Sequence, residues 1–370
     1  MTDLDGMGSD LGGKGSVVAA QLAVDDAGGT VLGRPIVILS GDHQNKSDIG
    51  SALATRWYDQ DHVDAIVDIP NSSVALAVQE VARQRHKIVL FSGAGSSALT
   101  GAFCSPYGFQ WTFDTAALAR STAMETVKDS GDTWFFITAD FAFGHALAHD
   151  AQAIIKANGG RVLGEVSHPY GTTDFSSYLV AAQASGAKII ALANSSTDTV
   201  TAVKQAGEFG VGKSGQKLVG LLVSIADVHA IGLADAAGLL LTESFYWDQN
   251  DATRAFAARF EAQMPGRKPT MVQAGVYSAV AHYLKAIATA RTDDGDTVAA
   301  VMRKTPINDF MDHDVRIRAD GRVMRDYYLF QVKTPAESKG PWDYYKLIRT
   351  IPAAEAARPE SEGGCKLADH

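Results

Sequence analysis

Apolar runs alternate with amphipathic ones along most of this chain. Continuous apolar stretches at 34–41 (RPIVILSG), 63–70 (VDAIVDIP) and 87–93 (KIVLFSG) read as strands. Between them, 15–29, 48–60 and 72–85 carry apolar residues at helical spacing. Fully apolar strands separated by amphipathic helices predict parallel βαβ units, because a parallel sheet is covered on both faces. The stretch 94–117 breaks the rhythm with glycines, a proline and a cysteine. A second series comes next, with strands expected at 133–140, 161–169, 188–194, 217–224 and 238–247 and helices at 144–160, 176–186 and 197–210. The pattern predicts an α/β protein of two doubly wound parallel-sheet lobes in tandem. Helices at 252–264 and 270–290, a hairpin turning at Asp320–Gly321 and a last strand at 342–351 are too little for a third domain. They are expected to complete the two lobes. This places 1–117 plus 249–328 in an N-terminal lobe and 118–248 plus 329–370 in a C-terminal lobe.

Bulk properties narrow the function. A length of 370 residues exceeds one ordinary core. A net charge of −9 with no basic stripe argues against nucleic acid or an anionic membrane as partner. No apolar segment reaches the ~20 residues that span a bilayer. The two cysteines, Cys104 and Cys365, lack any metal-binding spacing. Spacing alone leaves them either as unrelated thiols or as one disulfide. The start, MTDLDGMGSDLGGKG, has neither the basic region nor the apolar region of a signal peptide, so the protein is cytosolic or its leader lies outside this sequence.

The stretch SGAGSSALTG (92–101) comes after a buried strand. Gly93, Gly95 and Ala98 match a loose GxGxxA pattern. Dinucleotide binding needs that turn after the first strand of its unit, with an acid about 20 residues on. Here it comes after the last strand of its series, and Asp114 lies in an irregular stretch. No cofactor is expected, and neither a Walker A motif nor a GxSxG elbow is present. A sister motif, DIPNSSVALAVQEVA (68–82), ends a strand and opens a helix at Asn71, Ser72 and Ser73. Capping alone explains one such site. Two successive strand ends with paired serines gather hydroxyls and helix N–H groups at one sheet edge, where ligands of open α/β sheets bind. Neither loop carries Lys or Arg, which favours a single carboxylate over a phosphate. His145 and His149 share a helix face but lack a third ligand, so no metal is expected. Asp68, Asp114, Asp140 and Asp227 form no acid–base pair, and no catalytic constellation is present. Phe245, Tyr246 and Trp247 are either core or the lining of a cleft.

Taken in order, TDLDGMGSDLGGKGSVVAAQLAVDD, VLGRPIVILSGDHQNKSDIG, PNSSVALAVQEVA, the SGAGSS turn, TADFAFGHAL, TTDFSSYL and QAGVYSAV resemble the periplasmic solute-binding proteins of ABC importers, in the branched-chain amino acid (Leu/Ile/Val) binding family. The resemblance covers nearly the whole chain. It implies the type I periplasmic binding fold: two lobes joined by three crossovers, with a ligand clasped between them by hinge closure. It also implies delivery to permease and ATPase subunits, no catalysis, and export to the periplasm, which supports a Cys104–Cys365 bond. By the same resemblance Ser72, Ser73, Gly93, Ala94, Gly95 and Ser96 hold a ligand carboxylate. Phe143 before Gly144, Asn194, Ser195, Ser224, Phe245 and Trp247 belong to the second lobe's side of the site.

Two departures from the family matter. Its amino-acid binders grip the ammonium with an acid, where this chain has Ser224 and Ile225, with Asp227 nearby. A buried ammonium without a carboxylate is costly, so an aromatic or other apolar acid is favoured over leucine. A branched-chain amino acid binder, a sensory module and, last, an NAD enzyme are the alternatives. Family members also have strand residues before TDL. If that strand is cut here, the first lobe is expected to be somewhat destabilised.

Overall fold

The computed structural model describes residues 1–129, 132–211 and 215–367. The chain opens with α1 (Gly13–Asp26), a short hairpin of β1 (Thr30–Val31) and β2 (Arg34–Pro35), α2 (Ser47–Asp59), β3 (Ala65–Asp68), α3 (Ser72–Gln84), β4 (Ile88–Phe91) and β5 (Gly108–Gln110). Next come α4 (Thr115–Leu118), a π turn, α5 (Met124–Asp129), β6 (Thr133–Ala139), α6 (Ala142–Ala157), β7 (Arg161–His168), α7 (Ser176–Ala184), β8 (Ile189–Ala193) and α8 (Ser196–Glu208). They lead into β9 (Lys217–Gly220), α9 (Ile225–Ile231), α10 (Leu233–Ala236) and β10 (Leu240–Glu243). The remainder is α11 (Asp251–Gln263), α12 (Met271–Ala290), α13 (Gly295–Lys304), a hairpin of β11 (Arg316–Ile317) and β12 (Val323–Met324), then β13 (Tyr327–Val332), β14 (Tyr345–Ile351) and α14 (Ala353–Ala356).

Contacts divide the chain into two compact units. The first contains Met1–Asp114, Phe245–Arg325 and the chain from Arg358 onward; the second contains Thr115–Ser244 and Asp326–Ala357. In the first, β3, β4 and β5 form a parallel sheet with β4 central. Side chains of β4 alternate between two cores. Ile88 and Leu90 pack with Phe109, Trp111 and residues of α12 and α13, while Val89 and Phe91 pack with Trp57 of α2 and Val74 and Val78 of α3. A strand buried on both faces needs apolar residues at every position, which is why KIVLF reads as an unbroken run.

The second unit has a parallel sheet in the order β7-β6-β8-β9 and a separate antiparallel sheet, β10-β13-β14. Every residue of β6 and β8 is buried, whereas β7, at the sheet edge, alternates.

Three expectations change. Of the run 34–41, only Arg34 and Pro35 lie in a strand, paired with β1. The backbone of Met1 and Thr2 bonds to Val67, Ile69, Gly41 and His43, but 36–40 has no ladder partner among the described residues, and Val37 and Leu39 are exposed. Apolar composition makes a strand only where a neighbouring backbone completes the ladder. The strand expected over 238–247 stops at Glu243, and Phe245 already belongs to the first unit. The tail, assigned by sequence to the C-terminal lobe, packs in the first unit. Cys365 bonds to Cys104, Arg318 donates to Arg358 O at 2.7 Å, and Arg358 donates to Ser97 O at 3.1 Å. The helix α13 escaped the periodicity reading. Its signal was local, since the Asp294 side chain accepts from Thr297 N–H at 3.0 Å as an N-cap.

The Asp320–Gly321 turn does form a hairpin, β11–β12. Gly321 is required there, because its φ is +89° and a Cβ would lie 2.2 Å from Gly108 O.

The bond between Cys104 and Cys365 spans a sequence separation of 261. Closing a loop of that length in the unfolded chain corresponds to about 5–6 kcal/mol in the chain-entropy model. Replacing both cysteines with serine should therefore lower the denaturant midpoint markedly. An unchanged midpoint would show that the bond adds no stability.

Candidate functional site

At the carboxyl edge of the first unit's sheet, β3 and β4 end side by side, with Asp68 opposite Phe91. The chain leaves β3 through two consecutive left-handed residues, Asp68 (φ 85°) and Ile69 (φ 53°). For a β-branched residue this conformation costs about 1–3 kcal/mol. The kink delivers Asn71 to the N-cap of α3, where its Oδ1 accepts from Ser73 N–H at 3.0 Å and Val74 N–H at 3.2 Å. The next loop passes close by. A Cβ on Gly93 would meet Pro70 Cα at 2.7 Å, so only glycine permits the approach. Ser72 Oγ then accepts from Ser96 N–H at 3.1 Å and ties the two loops together. Ser96 Oγ in turn accepts from Ala98 N–H at 3.4 Å. Both hydroxyls thus serve as acceptors within the loops and keep a proton to donate. Ser73 is half-buried, whereas Ser72 and Ser96 are buried.

The loop from Ala94 to Phe103 is held by its carbonyls. Gln110 Nε2 donates to Ala94 O and to Ser96 O, each at 3.1 Å. Gln79 Nε2 donates to Leu99 O at 3.3 Å and Phe103 O at 2.6 Å, and Arg358 holds Ser97 O. A trans peptide is planar, with its N–H antiparallel to the preceding C=O, and the chain has no cis bond among the described residues. Turning Ala94 O toward Gln110 therefore turns Gly95 N–H away from it. Gly95 is buried, and its N–H makes no hydrogen bond among the described residues. Ser72 N–H, at the first position of α3, makes none either. Two peptide donors, two hydroxyls and a helix N-terminus suit an anion. Neither loop carries a cation in its own sequence; Arg358 reaches them only because the tail folds back.

In the second unit, β6, β7 and β8 end together, with Ala139 opposite His168 and Thr138 opposite Ala193. Asn194 is buried. Its Oδ1 accepts from Thr199 Oγ1 at 2.8 Å, and its Nδ2 faces His168 Nε2 at 3.4 Å. Burial lowers the His168 pKa and keeps the ring neutral, donating from Nδ1 to Pro169 O at 3.0 Å. Ser195 stands at the N-cap of α8 and Ser196 is left-handed, with φ 54°. The Asp198 carboxylate, fully buried, accepts from Gly171 N–H at 3.2 Å.

Aromatic placement departs from expectation. Gly144 is pressed against β6, since a Cβ would lie 2.1 Å from Ala139 O. This seats Phe143 inside the first turn of α6, where it is buried. The half-buried aromatics at this edge are instead Phe141 and Tyr170, with ring centroids 4.9 Å apart. Phe245 is not at the second unit's edge: it packs in a first-unit aromatic cluster with Phe256 and Phe310. Trp247 lies under Lys268 Nζ at 4.5 Å and beside Tyr246.

Three of the four isolated acids, Asp227, Asp114 and Asp140, are engaged in the structure. Ser224 and Asp227 close a capping box at α9: the Asp227 carboxylate accepts from Ser224 N–H and Oγ, each at 2.8 Å. Asp114 pairs with buried Arg322 at 2.6 Å. Asp140 contacts His145 at 2.8 Å on the surface. No group of side chains able to hold a metal ion occurs among the described residues, and none of their helices is long and apolar enough to cross a membrane.

The chain has relatives among known proteins. The family model described as periplasmic binding protein matches residues 1–341. A periplasmic binding protein from Burkholderia mallei is 46% identical, covering 99% of this chain and 97% of its own, with a TM-score of 0.97. A branched chain amino acid ABC transporter periplasmic ligand-binding protein from Burkholderia xenovorans is 37% identical, covering 99% and 98%, with a TM-score of 0.88. A solute-binding protein of an ABC transporter from R. palustris, solved with benzoate, shares the fold at 19% identity, covering 99% and 98%, with a TM-score of 0.85. No curated protein matches the sequence.

Burial pushes the Asp198 carboxyl from 3.8 up to about 6, against the N–H groups of Gly171 and Thr172, which pull it down. With the folded pKa raised, the stability tied to this proton is complete below pH 3.8 and is lost as pH rises through about 6. The loss is at most about 3 kcal/mol. Relative to wild type, Asp198→Asn should therefore gain stability across that window. A constant difference between the two proteins in denaturant unfolding from about pH 4 to 7 would overturn the assignment.

Proposed function

The chain belongs to the periplasmic binding protein family, among the branched-chain amino acid ABC transporter proteins of type I fold, and we propose that it is the extracytoplasmic solute-binding component of an importer for a small carboxylate, preferring an aromatic or other apolar acid. The observation that carries the carboxylate reading is the pair of peptide donors at Gly95 and Ser72, beside the hydroxyls of Ser72, Ser73 and Ser96. A carboxylate offers two acceptor oxygens to such donors, and charge-assisted hydrogen bonds of this kind are the strong ones.

The preference for an acid without an amine rests on Asp227. Its carboxylate is engaged in the α9 cap, and Ser224 and Ile225 carry no charge for an ammonium. Phe141 and Tyr170 offer an apolar edge on the second unit, and Asn194 and Ser195 stand beside it as polar contacts. In this reading the protein performs no chemistry. It captures its ligand in the periplasm and passes it to permease and ATPase subunits. An amino-acid ligand is the second reading, favoured by the description of the 37% identical relative.

A thermal-shift panel separates the two readings. Benzoate and 4-hydroxybenzoate should raise the melting temperature, while leucine, isoleucine, valine and NAD should not. A ligand at 100 times its dissociation constant adds about 2.7 kcal/mol, enough to be seen. A shift with the aliphatic amino acids alone would replace the aromatic-acid reading with the second one. Ser96→Ala should weaken binding of the active ligand by about 1–3 kcal/mol, the usual worth of a hydrogen bond to a charged group. Unchanged affinity in calorimetry would remove Ser96 from the site.

A further inference from the structure

We infer that Gln110 is the positioning residue that makes the Ala94–Thr100 loop an anion receptor, by holding two of its carbonyls away from the ligand. The inference rests on the carboxylate reading above.

Gln110 is fully buried on β5 and lies outside both loop motifs. All three of its side-chain hydrogen bonds go to this loop. Nε2 donates to Ala94 O and Ser96 O, and Oε1 accepts from Thr100 Oγ1, each at 3.1 Å. The Thr100 hydroxyl fixes which end of the amide faces which carbonyl, because only the NH₂ end has two donors. Peptide planarity then sets the sign of the loop's outer face. With the Ala94 carbonyl turned in, Gly95 presents N–H. If that peptide rotates, a carbonyl oxygen stands where the donor was, and the loop repels a carboxylate. One buried amide therefore determines the polarity of a backbone surface that it does not itself share with the ligand.

The test uses the full-length protein with its disulfide intact, and whichever of benzoate or leucine the wild type binds. Calorimetry is run at about pH 8 and about pH 5.5, where either carboxylate remains largely ionised. Gln110→Met keeps the volume but donates nothing, and affinity should fall by about tenfold or more, the scale of losing a hydrogen bond to a charged group. Gln110→Glu should bind worse still at the higher pH, with its carboxylate against two carbonyls. Burial raises the pKa of such a carboxyl. At the lower pH the protonated Glu donates one hydrogen bond, so affinity should recover several-fold while wild type stays flat. Nearby ionisable groups are Arg322 with Asp114, Arg318 with Asp320, Arg358, Glu360 and Glu362 on the tail, and Asp68 below the first loop. All are common to every variant and cancel in the comparison.

A residue that only fills space would give no such pH recovery. If Gln110→Glu does not fold, Gln110→Met and Thr100→Val decide. Thr100→Val unlocks the amide and should weaken binding by a smaller factor. Folded variants that bind within twofold of wild type at both pH values overturn the inference and leave the carboxylate reading intact. A wild type that binds neither carboxylate overturns both.

Discussion

The carboxyl edge of the first unit depends on where the carbonyls between Ala94 and Phe103 point. Five of them are claimed by three side chains, Gln110, Gln79 and Arg358. A short loop rich in glycine and serine has little structure of its own, and its conformational entropy favours many arrangements. Anchoring these carbonyls from below selects one arrangement, in which Ser96, Ala98 and Leu99 N–H bond within the loops and Gly95 N–H stays without a partner among the described residues. The disulfide at Cys104 fastens the end of the same loop to the tail that supplies Arg358. Preorganised donors bind a charge more tightly than mobile ones, because no ordering cost remains at the moment of binding.

The surrounding fold makes these anchors possible. Gln79 comes from α3 and Gln110 from β5, and both are buried because the parallel sheet is covered on each face. In that low-dielectric setting an amide must find partners, and an unmet donor costs about 1–3 kcal/mol. The loop carbonyls meet that demand for the donor ends of both amides. The second unit repeats the device with different residues. Thr199, Asn194, His168 and Pro169 form a hydrogen-bonded chain beneath its strand ends, and Asp198 ties the neighbouring turn through Gly171. At both edges buried polar side chains fix backbone groups.

Much of this was legible in the residues themselves. The alternation of apolar runs and helical periods foretold β3, β4, β6 to β10 and most of the helices, because burial on two faces imposes an unbroken apolar strand; β5, inside the irregular stretch 94–117, was not foreseen. The serine pairs at 72–73 and 96–97 marked the sheet edge at which the two loops meet. Other features misled. Phe143 looked like a ligand aromatic, but the close packing of Gly144 on β6 turns it inward and leaves Phe141 and Tyr170 at the edge. Phe245 looked like a cleft residue and lies in an aromatic cluster with Phe256 and Phe310. The run 36–40 has strand composition and no ladder partner among the described residues.

The sequence by itself determined the features set by neighbouring residues: strand and helix periods, the cap at Asn71, a glycine turn at 321 and a pair of serine-bearing loops. Only the tertiary structure decided those that arise where distant parts of the chain meet. Gln110 lies 14 residues from Ser96, and Arg358 is 261 residues from Ser97. Neither has a local signature, because a glutamine in a strand and an arginine in a polar tail are ordinary in isolation. Their effect appears only when folding places them against the carbonyls of that loop. Backbone polarity, unlike side-chain chemistry, is written in no single residue, since every peptide carries the same donor and acceptor. Which of the two faces outward is settled by what packs beneath.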